Sequence, residues 1–120
     1  MKYLYKGVRM AAINNITFTG KSGIKYDFHA FPINEDLQPI AAVYALTRCV
    51  QNRLKKYSHD IIYIAETVDL SECLKNQEKE ECIKEKSPSC ICLYPEKSLQ
   101  KRLRIMVDLI ENYHPVCCCD

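Results

Sequence analysis

The chain has 120 residues, 48% hydrophobic and 27% charged, enough for one domain with its own core and the balance of an ordinary globular protein. Seventeen Lys and Arg against fifteen Asp and Glu leave a net charge of +2, too even for the clustered cationic field of a general polyanion binder. No apolar run is long enough for a membrane span, and Met1–Arg9 lacks the apolar core of a secretory signal, so a cytoplasmic protein with no membrane role is expected.

Residues 1–13 have mixed polarity and no period; they are expected to form an arm outside a single domain of residues 14–120. Ile16–Thr19 and Ile24–Phe31 flank Gly20-Lys21-Ser22-Gly23, a β-hairpin signal in which glycines supply positive φ. Alternation puts Tyr26, Phe28 and Ala30 on one face and Lys25, Asp27 and His29 on the other. Pro32 and Pro39 bracket the loop that follows.

Ala41–Leu46 and Asp60–Ile64 are apolar runs of strand length, each carrying a tyrosine, Tyr44 and Tyr63. Arg48 to His59 is expected as a solvated loop between them, its cations Arg48, Arg53, Lys55 and Lys56 facing water. His29 and His59 have no partner at metal-ligand spacing and are expected on the surface; His114, before Pro115, belongs to a helix terminus.

Asp69 has the chemistry of an N-cap, with Glu72 three residues on, and predicts a helix running to about Lys86, where Ser87-Pro88-Ser89 ends it. Cys90–Tyr94 reads as a further buried strand closed by Pro95. Leu99, Leu103, Met106, Leu109, Ile110 and Tyr113 recur at helical spacing and predict one apolar stripe, with Ser98 as N-cap and Pro115 as the stop. The fold class is therefore mixed α/β (α+β): hairpin, strand, strand, helix, strand, helix, with helices packed on a small mixed sheet.

Eight cysteines are present. With no export signal, reduced thiols are expected ahead of a thiolate metal site, and that ahead of disulfides. Adjacent Cys117, Cys118 and Cys119 cannot all face one site. Cys90 and Cys92 share a strand face, about 7 Å apart at the usual rise. Cys82 and Cys117 join them in a zinc thiolate set only if helix and tail fold back, and core packing is favoured over that set.

From about Ile16 to Cys118 the ordered elements resemble a small bacterial branch of the GIY-YIG nuclease superfamily. Ala42-Val43-Tyr44 stands at the first signature, and Ile62-Tyr63-Ile64-Ala65-Glu66-Thr67 with Asp69–Glu72 at the second and the helix after it. Cys90-Ile91-Cys92, Arg102-Leu103, Asp108-Leu109-Ile110 and Tyr113-His114-Pro115 resemble the later strand and helix, and Cys82, Cys90, Cys92 and Cys117 stand where that branch carries cysteines. The resemblance implies a small GIY-YIG-type sheet and, for active members, phosphodiester hydrolysis with a divalent metal.

The same resemblance implies that this chain is inactive. Met106 stands at the position of the metal-binding glutamate, and a thioether is a poor ligand for Mg²⁺. Cys73 replaces the arginine that stabilises phosphoryl charge, Gln77 the histidine beyond it, Cys118 the terminal asparagine and Ala65 the glycine of the second signature. Tyr44 and Tyr63 remain as vestiges.

The expected function is that of a pseudonuclease acting as a protein-binding, assembly or structural subunit of a complex, with Tyr3, Leu4 and Tyr5 of the arm as further anchors and no cofactor. Two readings stand behind it. One is nucleic-acid binding without cleavage through Arg48, Arg53, Lys55, Lys56, Lys101, Arg102 and Arg104; the other is a residual metal-dependent endonuclease.

Overall fold

A computed structural model describes the backbone of residues 2–5, 8–11, 14–34, 36–77 and 81–117, and side chains from residue 14 onward except 35, 74–80 and 118–120. Among the described residues, seven strands and three helices run in the order β1 (Lys2–Tyr5), β2 (Val8–Ala11), β3 (Asn14–Thr19), β4 (Lys25–Pro32), β5 (Ala42–Gln51), β6 (Tyr57–Thr67), α1 (Leu70–Gln77), α2 (Glu81–Lys86), β7 (Cys90–Pro95) and α3 (Leu99–Tyr113). The mixed α+β class follows.

Strands β3 to β7 form a single sheet in the order β3-β4-β7-β5-β6, and every pairing in it is antiparallel. The sheet is thus not mixed in direction. The hairpin β3–β4 is one flank of this sheet, while β1 and β2 pair only with each other. The anchors expected at Tyr3, Leu4 and Tyr5 fall outside the described side chains.

Strand alternation sorts the core into two layers. Phe31, Tyr44, Leu46, Tyr63, Ile91 and Leu93 face α1 and α2, where Leu70, Cys73 and Ile83 cover them. Tyr26, Phe28, Val43, Ala45, Ile64 and Cys92 face α3, which contributes Ile105 and Leu109. The sheet curls around α3 so far that its two outer strands meet at one end: Asn14 Oδ1 on β3 lies 3.4 Å from His59 Nε2 on β6.

One side chain gathers three hydrogen bonds at the β3–β4 turn. Ser22 N, Ser22 Oγ and Tyr26 Oη all donate to the Asp108 carboxylate at 2.9, 2.6 and 2.7 Å. Of the two turn glycines only Gly23 has positive φ, at 90°. Gly20 is needed for closeness instead, since a Cβ there would fall on the Asp108 carboxylate.

Three expectations change. The segment 48–59 is no loop: β5 and β6 extend through it in register and leave only residues 52–56 as a turn. Asn52 Oδ1 closes that turn by accepting from Leu54 N and Lys56 N at 2.9 and 3.0 Å. The helix expected from Asp69 to Lys86 is instead two, α1 and α2, though Asp69 Oδ1 does accept from Ser71 N at 2.9 Å at its start.

On α3 the buried stripe is rotated. Leu99 and Leu103 are exposed, whereas Arg102 and Ile105 are buried. Arg102 causes this: its Nε meets Glu66 Oε1 at 2.8 Å and its Nη1 donates to the carbonyls of Glu96 and Lys97 at 3.0 and 2.8 Å. A guanidinium so satisfied can sit under the helix, and it turns the leucines outward. Ser98 caps α3 as expected, with Lys101 N donating to Ser98 Oγ at 3.3 Å, and His114 ends it in the left-handed conformation before Pro115.

Candidate functional site

Two places gather chemistry. The first is a groove of about 360 Å³ along the β6 edge, lined by Tyr63, Ile64, Ala65, Glu66, Met106, Ile110, Pro115 and Cys117. It brings together three positions singled out by resemblance: Tyr63, Ala65 and Met106. Tyr44 lies behind it, its ring centroid 6.2 Å from that of Tyr63, and both rings are buried, at 2% and 5% exposure. Cys73 is buried on the α1 side, its Sγ directed to Leu70 O at 3.2 Å. Gln77 and Cys118 fall outside the described side chains.

The groove holds one carboxylate among its lining residues, Glu66, and that group is already ion-paired with Arg102 at 2.8 Å. Met106 packs against the α3-side core, as its place in an apolar stripe implies. The surface on offer is hydrocarbon, sulfur and one aromatic edge.

The tail that borders this groove is fastened twice. Cys117 N donates to Ile62 O at 2.9 Å, and Cys117 is disulfide-bonded to Cys82 of α2 with Cα atoms 5.8 Å apart. This corrects one expectation: these two thiols are not reduced. The bridge also leaves Cys82, Cys90, Cys92 and Cys117, the set over which core packing is favoured, as no single site. Strand parity is the reason: Cys90 and Cys92 face away from the layer in which Cys117 is buried.

The second place lies where the curled sheet closes. Cys49 on β5 is the direct cross-strand partner of His59 on β6, and Thr47 that of Cys90 on β7. All four therefore point to one face. Donor atoms of Cys49, His59 and Cys90 lie within 4.8 Å of one another. Cys49 Sγ is 3.7 Å from His59 Nε2. On the other side of the ring, His59 Nδ1 is 2.8 Å from Thr47 Oγ1 and 3.8 Å from Cys92 Sγ.

Burial controls the electrostatics there. It pushes the Cys49 thiol up to about 12, reinforced by a hydrogen bond and repulsion from Cys90. The Cys92 thiol is also raised to about 12 by burial, with Thr47 pulling the other way. Burial lowers His59 below the ordinary imidazole value, so the ring is neutral near pH 7.

His59 is therefore half-buried rather than out on the surface, and neither Cys49 nor His59 was legible as a ligand while 48–59 read as a loop. A signal was present nonetheless. Val50 and Tyr57 favour strands, and Asn52 favours a turn. Closing the hairpin on the pair Gln51 and Tyr57 places residues 49 and 59 opposite each other. His29, the other expected surface histidine, is half-buried with its Nδ1 2.6 Å from Asn15 Oδ1.

The seven cations considered for nucleic acid are dispersed. Arg102 is buried in its ion pair, and Arg48 Nη2 donates to Lys86 O at 2.7 Å. Arg53, Lys55 and Lys56 are exposed at the β5–β6 turn, Lys101 and Arg104 on α3. Among the described residues no helix is long and apolar enough to cross a membrane. Comparison with protein-family models, curated proteins and solved structures found no match to this chain.

Proposed function

We propose that the chain is a catalytically silent relative of the GIY-YIG nucleases that works by docking onto a protein partner, as one subunit of a larger complex. The observation that carries the docking role is a ridge on α3. Leu99, Leu103 and Val107 are 53%, 41% and 47% exposed at four-residue spacing, which makes one continuous apolar row. Ile24, from the β3–β4 turn, shares a groove with Leu103 and Val107 and widens that row. Single exposed aliphatics are ordinary, but a contiguous row marks a contact surface. Its spacing suits a partner helix laid along α3 by aliphatic side chains, with Arg104 and Glu111 at the rim.

The family reading is supported by Tyr44 and Tyr63 on paired strands, a helix leaving the second of them, and α3 closing the fold. Silence is supported by the groove. Hydrolysis needs a hard-oxygen metal ligand and a cation for the phosphoryl charge. The β6-edge groove offers Met106 and a carboxylate neutralised by Arg102, while Cys73, which the resemblance puts at the cation's position, is buried on the α1 side of the sheet. Losing one such electrostatic partner costs roughly 3 kcal/mol of barrier, so losing both removes the reaction.

The test is purification of the tagged full chain from its native source in high salt, beside Leu103→Asp. A protein in fixed ratio, lost in the variant while its circular dichroism and Tm stay unchanged, supports docking. Nucleic acid recovered only at low salt would overturn it. Metal-dependent nicking of plasmid DNA, abolished by Tyr63→Phe, would overturn silence.

A further inference from the structure

We infer that Cys49, His59 and Cys90 form a zinc-binding site at the closed end of the curled sheet. Three adjacent strands supply one donor each, and the hydrogen-bonded register β6-β5-β7 fixes their spacing. In a tetrahedral zinc site with bonds of roughly 2.0–2.3 Å, donors stand roughly 3.5–3.8 Å apart. Cys49 Sγ and His59 Nε2 are 3.7 Å apart, and all three donors lie within 4.8 Å, so a small inward turn of the side chains closes the set.

The ring is also oriented for the task. Thr47 Oγ1 lies 2.8 Å from Nδ1, so in the tautomer with its proton on Nδ1 the threonine accepts that proton and the Nε2 lone pair is directed to the thiol side. Thr47 is fully buried, so this acceptor is held in place. Asn14 Oδ1 lies 3.4 Å from the same Nε2, so the fourth position falls to this amide or to a water.

Two thiolates and an imidazole select zinc over hard cations such as Mg²⁺. Binding converts both thiols to thiolates and releases their two protons to solvent; the neutral imidazole releases none. The ion would tie edge strand β6 to β5 and β7 where the sheet's outer strands meet. It owes nothing to the docking ridge, which lies on α3.

Cobalt reports the donors directly. Titrating Co²⁺ into the full chain should give about one equivalent bound, with thiolate-to-cobalt charge-transfer absorption that Zn²⁺ then displaces. Cys49→Ser and His59→Ala should each abolish or strongly weaken it, and Thr47→Val should weaken affinity ~10–100-fold while leaving all donors in place. Cys73→Ser and the double change Cys118→Ser, Cys119→Ser should leave it intact. If a variant fails to fold, the wild-type stoichiometry and thiolate absorption still decide. Absence of charge-transfer absorption in the wild type overturns the site, as does its persistence in Cys49→Ser or its loss with the two tail cysteines.

Discussion

Arg102 shows how one residue can redirect an element. A buried guanidinium is tolerated only when its donors are used, and here Glu66 and two backbone carbonyls use them. Replacing Glu66 with Gln removes the charge that neutralises it and should cost about 2–3 kcal/mol, measured by urea unfolding. Asp108 acts from the next turns of the same helix. Hydrogen bonds from Ser22, and then Tyr26, hold its carboxyl below the ordinary value. A depressed folded-state pKa stabilises above the unfolded value and is lost as pH falls through the folded one. Acid titration of wild type should therefore show loss of stability below the normal carboxylate range, and Asp108→Asn should flatten that slope. Tyr26, raised to about 12 chiefly by burial and by the adjacent Asp108 carboxylate, contributes oppositely: its stabilisation holds below its ordinary value and fades only in strong alkali.

Most elements could be read from local pattern. The β3–β4 hairpin, the tyrosine strands, β7 and the ends of α3 all follow from alternation, turn glycines, an N-cap serine and a terminal proline. What local pattern could not supply was long-range partnership. Arg48 to Gln51 and Tyr57 to His59 look like solvated loop, since their strand character comes from pairing with each other rather than from a buried face. The rotation of α3 was hidden because Arg102 finds its acceptor 36 positions away, on β6. Likewise the Cys82–Cys117 bridge joins residues 35 apart, a pairing that spacing alone does not reveal. Closing a loop of that length should contribute about 3–4 kcal/mol in the chain-entropy picture. Cys82→Ser, or reduction of the wild type, should lower the unfolding free energy by about that amount, and an unchanged Tm would contradict the bridge.

At the scale of the molecule, the fold holds two tyrosines in a core, puts sulfur and hydrocarbon along the β6 edge, and turns a row of aliphatics outward on α3. The fold class was legible in order and periodicity. The ridge was not, because Leu99 and Leu103 read as core until Arg102 displaced them. The decisive measurement is the mass, by light scattering in high salt, of the species formed by the full chain purified from its native source. The chain together with a protein partner in fixed stoichiometry is expected, collapsing to the chain alone in Leu103→Asp. A wild type that runs alone and cuts DNA once Mg²⁺ is added would contradict both docking and silence.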